Sequence, residues 1–213
     1  EEGDIFHKNA LGFHKSGMWS KVIDIHKCYL QTNISNKIRN YTKQKALELN
    51  LEFFDLKNQN GDIRNLMIRT TTTNEIMVLI QFYKYSEKAE NLLELIKNEF
   101  NEITSIMYVI NSKPNDTIYD LEINNFSGKN YITEKIGELL FKISAKSFFQ
   151  TNSYQTSKLY NIVKRFANLK GNEIIYDLYS GIGTISLFLS KEAKKIIGIE
   201  TVKDAVEAAK SNS

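Results

Sequence analysis

The stretch Asp177-Leu178-Tyr179-Ser180-Gly181-Ile182-Gly183-Thr184, followed by Gly198-Ile199-Glu200, decides how this chain is read. Ile174-Ile175-Tyr176 predicts a buried parallel strand, and Thr184 to Leu189 predicts an amphipathic helix opened by the glycine-containing turn. Lys195 to Ile199 predicts the second strand, which ends in Glu200. Strand, loop, helix and strand in that order open a doubly wound α/β fold. Gly181 and Gly183 let the backbone bend tightly and approach a ligand where a Cβ would collide, leaving helix N–H groups aimed into the crevice. Glu200 stands 23 residues after Asp177. It falls at the neighbouring strand's C-terminal edge, where a carboxylate can accept both hydroxyls of a ribose.

The loop is not the dinucleotide fingerprint, because G-x-G-x-x-G needs glycine or alanine where this chain has Ser186. A cofactor without a pyrophosphate fits better. Asp177 at the first strand's tip would repel a phosphate but suits a cationic methionine or a hydroxyl, and S-adenosylmethionine has that charge pattern. A doubly wound domain also uses G-x-G for packing alone; the strand context and the spaced acid favour a cofactor site.

With 213 residues, 42% of them hydrophobic and 25% charged, the chain has the composition of a folded globular protein. No apolar run approaches the roughly 18 residues of a membrane helix. Glu1-Glu2-Gly3-Asp4 lacks the basic start of a signal peptide, so a cytoplasmic location and no membrane partner are expected. The single cysteine, Cys28, excludes an internal disulfide framework. The net charge of +3 is unevenly placed: residues 1–140 hold 17 Lys+Arg against 19 Asp+Glu, and residues 141–213 hold 11 against 6. A basic excess beside the pocket is compatible with a polyanionic substrate, and equally with a solvated lysine face.

The first thirty residues, with glycine at 3, 12 and 17, predict short strands and turns ending at Val22 to Cys28. A helix is expected over Ser35 to Leu49. Arg64 to Thr70 and Glu75 to Phe82 read as a hairpin, and Ser86 caps a helix whose apolar face is Ala89, Leu92, Leu93, Ile96 and Phe100. Strands are expected over Ile103 to Ile110, around Thr117 to Ile123 and Asn130 to Thr133, and over Leu139 to Ile143. A helix from about Tyr154 to Leu169 is expected to bury Leu159, Ile162, Val163 and Phe166 and to stop at Gly171. Pattern and charge put a boundary near residue 140: residues 1–140 form an α+β domain, and residues 141–213 begin the nucleotide fold. Two parallel strands do not make a domain, so the chain is expected to be part of something longer.

The segment Ser147-Phe148-Phe149-Gln150-Thr151-Asn152, one helix ahead of DLYSGIGT and G-I-E, resembles the S-adenosylmethionine-dependent RNA uracil-C5 methyltransferases. The likeness extends back through Arg64 to Thr70, Tyr108-Val109-Ile110-Asn111 and the Gly12-Phe13 to Cys28 stretch. It implies an α+β central domain followed by the first part of a Rossmann-like methyltransferase fold, cut after its second strand and helix. It implies cofactor contacts at Gln150, Tyr179, Thr184 and Glu200; with the loop residues read above, the candidate site is Gln150, Asp177, Tyr179, Gly181, Gly183, Thr184 and Glu200. One of Phe148 and Phe149 is expected in the core, and an exposed ring at the other can stack on an unpaired base.

The family's chemistry needs a cysteine nucleophile that attacks C6 of uracil and a base that removes the C5 proton. The resemblance puts both beyond Ser213, so no catalytic residue is assigned here and residues 1–213 alone are expected to be inactive. Many members hold an iron–sulfur cluster with four cysteines, of which only a counterpart of the fourth, Cys28, is present; one thiolate does not hold such a cluster. No metal site is expected from His7, His14, His26 and Cys28, which lack paired ligand spacing. The family's N-terminal RNA-binding barrel is not in this sequence, leaving Lys142, Lys146, Lys158, Lys164 and Arg165 as candidate phosphate contacts. The expected substrate is RNA, ribosomal rather than transfer RNA, with no DNA. The alternatives are a small-molecule methyltransferase using the same pocket, and a non-catalytic RNA- or protein-binding module.

Overall fold

The computed structural model describes residues 9–213, so the readings that involve Gly3 and His7 lie outside the described residues. Two compact units are present: one runs to Thr70 and resumes over Ile76–Lys129, and the other comprises Thr71–Glu75 and Asn130–Ser213. The sequence-based boundary at residue 140 falls inside a hairpin of the second unit.

In the first unit a hairpin, β1 (Gly12–Lys15) and β2 (Met18–Asp24), precedes α1 (Asn33–Glu48) and a four-stranded sheet. The sheet runs β3 (Ile63–Thr70), β4 (Ile76–Phe82), β5 (Ser105–Ile110), β6 (Ile123–Gly128), with β4 and β5 parallel and α2 (Glu87–Glu99) linking them. All seven residues of β4, six apolar and Gln81, are buried, as befits a strand paired on both sides. Ile76, Val78, Ile80 and Phe82 pack with Ala89, Leu92, Leu93 and Ile96 of α2 and Ile38 of α1 in one core. Ser86 caps α2 as expected, its hydroxyl accepting from the Ala89 N–H at 3.3 Å.

Two features of the first unit have polar causes, and the second departs from the sequence reading. Helix α1 buries the polar Ser35, Asn36 and Arg39 where Arg39 donates to the carbonyls of Ile25 and His26 and to Gln31 and Asn36, drawing the loop before the helix onto it. The strand expected around Thr117 to Ile123 begins only at Ile123. The preceding residues are held as a loop by Arg64, whose fully buried side chain donates to the carbonyls of Asn111 and Lys113 and pairs with Asp116 at 2.8 Å.

The second unit begins with the hairpin β7 (Tyr131–Ile136) and β8 (Leu139–Ser144), then α3 (Ser153–Ala167). Next come β9 (Ile174–Leu178), α4 (Thr184–Leu189), a 3-10 turn, β10 (Lys195–Ile199) and α5 (Lys203–Asn212). β9 and β10 are parallel, with Asp177 opposite Gly198 and Leu178 opposite Ile199. Ile136, Phe141 and Tyr160 form a buried core cluster of the unit, flanked by Phe149, Ile185, Leu187 and Phe188.

Helix α3 does not bury the face its periodicity suggests: Thr156 and Tyr160 are inside, whereas Leu159 and Ile162 are exposed and Phe166 is 77% exposed. Ile174, Tyr176 and Leu178 of β9 are exposed too, because β9 has one strand neighbour, β10, and no element among the described residues covers these side chains. The helix ends at Asn168, in the left-handed conformation with φ 46°, three residues before the expected stop at Gly171.

Candidate functional site

Parallel pairing brings the C-terminal ends of β9 and β10 side by side, and the loop 179–183 rises from the first of them. The loop holds three residues at positive φ: Tyr179 at 62°, Gly181 at 55° and Gly183 at 81°. For the glycines this costs little; for Tyr179 it is a strained position, of the kind that concentrates at ligand-binding loops. The strain presents the Tyr179 ring to solvent, 89% exposed. Gly198 has its own steric reason, since a Cβ there would stand 3.0 Å from the Ser180 hydroxyl oxygen.

Glu200 closes the loop onto the second strand. Its Oε2 accepts from the Gly181 N–H at 2.9 Å, and its Oε1 accepts from the N–H groups of Thr201 at 2.7 Å and Val202 at 2.9 Å. A carboxylate offers about four acceptor directions. Three are engaged by the backbone, which fixes the group's orientation and leaves about one for a ligand hydroxyl. The Val202 N–H, with those of Gly181 and Thr201, holds the Glu200 carboxyl below its ordinary value of 4.5 against the opposing effect of burial. The ordering that these bonds give the loop is therefore complete above pH 4.5 and is lost as pH falls through the lower folded-state value. Amide resonances of Gly181 and Val202 followed by NMR between pH 7 and pH 3 are expected to shift together only below pH 4.5. A midpoint above 4.5 would contradict the bonding pattern.

Asp177 makes bonds within the chain that its position alone does not announce. Its Oδ2 accepts from both the backbone N–H (3.1 Å) and the hydroxyl (2.6 Å) of Ser186, so it binds the first turn of α4 to the tip of β9. Ser186, noted in the sequence only for not being glycine, is the residue that makes this bond. Thr184 pairs with Tyr160, hydroxyl to hydroxyl at 2.7 Å. Burial raises the Tyr160 phenol above its ordinary value, the bond from Thr184 opposes that, and the charge of Asp177 adds to it. Asn212 of α5 donates to the Ile182 carbonyl and accepts from the Lys142 N–H, tying the loop to β8. Neither Tyr160 nor Asn212 stands out in the sequence, because each acts through a partner more than twenty residues away.

The structure thus gathers Asp177, Gly181, Gly183, Thr184 and Glu200 around one strand-tip loop. Gln150 is exposed on the segment before α3 and has no hydrogen bond to these residues. Of its neighbours, Phe149 packs on Phe141 with ring centres 6.3 Å apart, whereas Phe148 is 72% exposed. A groove of about 680 Å³ follows β10 and reaches the loop only at its rim, at Ser180, Gly183 and Glu200. A cavity of about 270 Å³ in the first unit, beside Phe53, Phe54 and Arg64, contains none of the predicted site residues. Among the candidate phosphate contacts, Lys164 pairs with Glu192 and Lys146 with Asp204, so part of the basic excess is neutralised locally. No group of three potential metal ligands gathers among the described residues, and none of their helices is long and apolar enough to cross a membrane.

Residues 31–213 match the family model described as tRNA (Uracil-5-)-methyltransferase. The chain belongs to this uracil-5-methyltransferase family. It is 48% identical over 210 residues to an uncharacterized RNA methyltransferase of Bacteroides thetaiotaomicron, covering 96% of this chain and 46% of that protein. A second uncharacterized RNA methyltransferase, from Porphyromonas gingivalis, is 48% identical over 207 residues, with 96% and 44% covered. The crystal structure of Pyrococcus abyssi tRNA (uracil-54, C5)-methyltransferase in complex with S-adenosyl-L-homocysteine superposes with a TM-score of 0.78 at 27% identity, over 96% of this chain and 49% of that one. The chain therefore spans about half the length of these relatives. Its α+β part and parallel strand pair are the fold that the family resemblance implies.

Proposed function

We propose that residues 141–213 supply the methyl-donor side of an RNA uracil-C5 methyltransferase and bind S-adenosylmethionine at the loop 179–183. The observation that carries this reading is the bond from the Gly181 N–H to Glu200, which sets a carboxylate and a bare-backbone bend side by side at two adjacent strand tips. The residues present fit the group. Glu200 keeps one acceptor direction for a ribose hydroxyl, Gly181 and Gly183 give close backbone access, and Tyr179 offers an exposed ring and hydroxyl. Gln150 offers an amide to the methionine end. Asp177 and Thr184 serve the same site by holding the loop and helix in place. Bound there, S-adenosylmethionine supplies an electrophilic methyl group. The cysteine nucleophile and the base of the family's reaction are assigned to no residue of this chain.

Residues 1–140 are proposed as the central domain that contributes to RNA contact. The target we favour is ribosomal RNA, on the resemblance of the segment around Cys28, and the cytoplasm is the expected compartment. Two measurements test the proposal in the full-length protein of which these residues are part: titration calorimetry with S-adenosylhomocysteine, and methyl transfer to transcribed ribosomal and transfer RNA. Absence of S-adenosylhomocysteine binding would remove the cofactor half of the reading. Transfer to tRNA alone would overturn the choice of target, and transfer to a small molecule but to no RNA would overturn the substrate class.

The exposed Phe148 ring is proposed to stack on an unpaired base near the target uridine. Phe148→Ala is expected to raise the KM for RNA about tenfold, within the ~1–3 kcal/mol range of base–aromatic stacking, and to leave S-adenosylhomocysteine affinity unchanged. Equal losses in both would assign the ring to the cofactor instead.

A further inference from the structure

Strand β7 turns Ile132, Glu134 and Ile136 to one buried face, so a carboxylate occupies a place that the strand's alternation gives to an apolar side chain. Only 1% of Glu134 is exposed. A buried charge survives when hydrogen bonds replace its water. Here the donors are neutral: the Thr72 N–H reaches both oxygens at 3.1 and 3.2 Å, the Lys135 N–H reaches Oε1 at 2.8 Å, and the hydroxyls of Thr72 and Ser153 complete the set, the latter at 2.5 Å.

These donors come from separate pieces of the second unit. Thr72 lies in Thr71–Glu75, which is bound to β7 a second time, by the Thr133 N–H to Glu75 and by the Thr73 hydroxyl to the Thr133 carbonyl. Ser153 is the first residue of α3, directly after Asn152, whose side chain caps that helix. The cross-strand partner of Glu134 is Phe141, and directly opposed residues share a sheet face. Phe141 carries Phe149. The pair Glu134/Phe141 therefore grips the segment Phe149–Ser153 at both ends, with Gln150 between the grips.

We propose that Glu134 is a positioning residue for Gln150: together with Phe141 it fixes the ends of the 149–153 segment, and the Thr71–Glu75 turn locks the carboxylate in place. The inference rests on the reading of Gln150 as a cofactor contact, and it adds a residue that touches neither cofactor nor RNA. A carboxylate suits this set better than an amide: an NH2 in place of Oε2 would face the Thr72 N–H and force the Ser153 hydroxyl to reverse from donor to acceptor.

The test uses the full chain with Ser153→Ala, Ser153→Thr, Glu134→Gln and Gln150→Ala, each checked for folding by circular dichroism at the assay temperature. Two quantities are read: S-adenosylhomocysteine affinity by calorimetry and the Gln150 side-chain amide resonance by NMR. Ser153→Ala and Glu134→Gln are expected to weaken binding on the order of tenfold, below the ~10²-fold that a misplacement of ~1 Å costs, and to shift the Gln150 resonance. Ser153→Thr, which keeps the hydroxyl, is expected to restore both. Unchanged resonance and affinity in folded Ser153→Ala and Glu134→Gln would overturn the proposal. So would losses that Ser153→Thr fails to rescue. Gln150→Ala separates the two layers: if it binds S-adenosylhomocysteine like the parent chain, the cofactor role of Gln150 is wrong, while the resonance shift still decides whether Glu134 positions it.

Discussion

Glu200→Ala is expected to weaken S-adenosylhomocysteine binding by about tenfold to a hundredfold, the range set by one hydrogen bond to a charged group at ~1.5–3 kcal/mol. Two losses combine in this variant. The direct one is the acceptor direction left open on the carboxylate. The indirect one is loop order, because the N–H groups of Gly181, Thr201 and Val202 lose their common partner and return to water. Glu200→Gln separates them: an amide oxygen can still accept from part of this backbone set, whereas its NH2 faces donors. Calorimetry on both variants is the check, with affinity expected in the order parent, Gln, Ala. An alanine variant that binds like the parent would remove Glu200 from the site and leave its bonds as loop architecture alone.

Phe141→Ala is expected to cost about 3–5 kcal/mol of stability in the second unit, as removal of a fully buried aromatic side chain does. Among the described residues its cluster has Ile136 and Tyr160 as further buried members, with Phe149, Ile185, Leu187 and Phe188 packed against it. Denaturant unfolding followed by far-ultraviolet circular dichroism should show the midpoint falling without a change of slope. Binding should suffer beyond the loss of folded protein, because Phe149 rests on this ring directly before Gln150. A loss below 1.5 kcal/mol would be the cost of a volume-conserving swap and would show that the core repacks.

The elements most legible in the sequence were those whose pattern and neighbours agree. The capped α2, the largely apolar strand β4, and the run from β9 through α4 to β10 stand close to where periodicity and turn residues placed them. Local chemistry suffices there: a serine hydroxyl caps within its own turn, and a glycine takes a positive φ wherever the chain puts it. The helix α3 was legible as a helix, but its buried face was not, because periodicity identifies an apolar stripe without naming what covers it. The roles of the carboxylates were the least legible. Asp177, Glu200 and Glu134 are all acidic residues on or at the end of a strand, and the pattern of the sequence gives no means of telling a helix clamp, a loop clamp and a buried anchor apart.

The sequence by itself determined the parallel strand pair, the glycine bend between its strands and the acid at the second strand's tip, and with the 147–152 segment it determined the family. These are short-range facts, set by which side chains neighbouring residues can carry. Only the tertiary structure decided which donors each carboxylate accepts: Ser186 for Asp177, the Gly181 bend for Glu200, and Thr72 with Ser153 for Glu134. A hydrogen bond is directional and operates within about 3 Å, so its partner is fixed by folded geometry and not by distance along the chain.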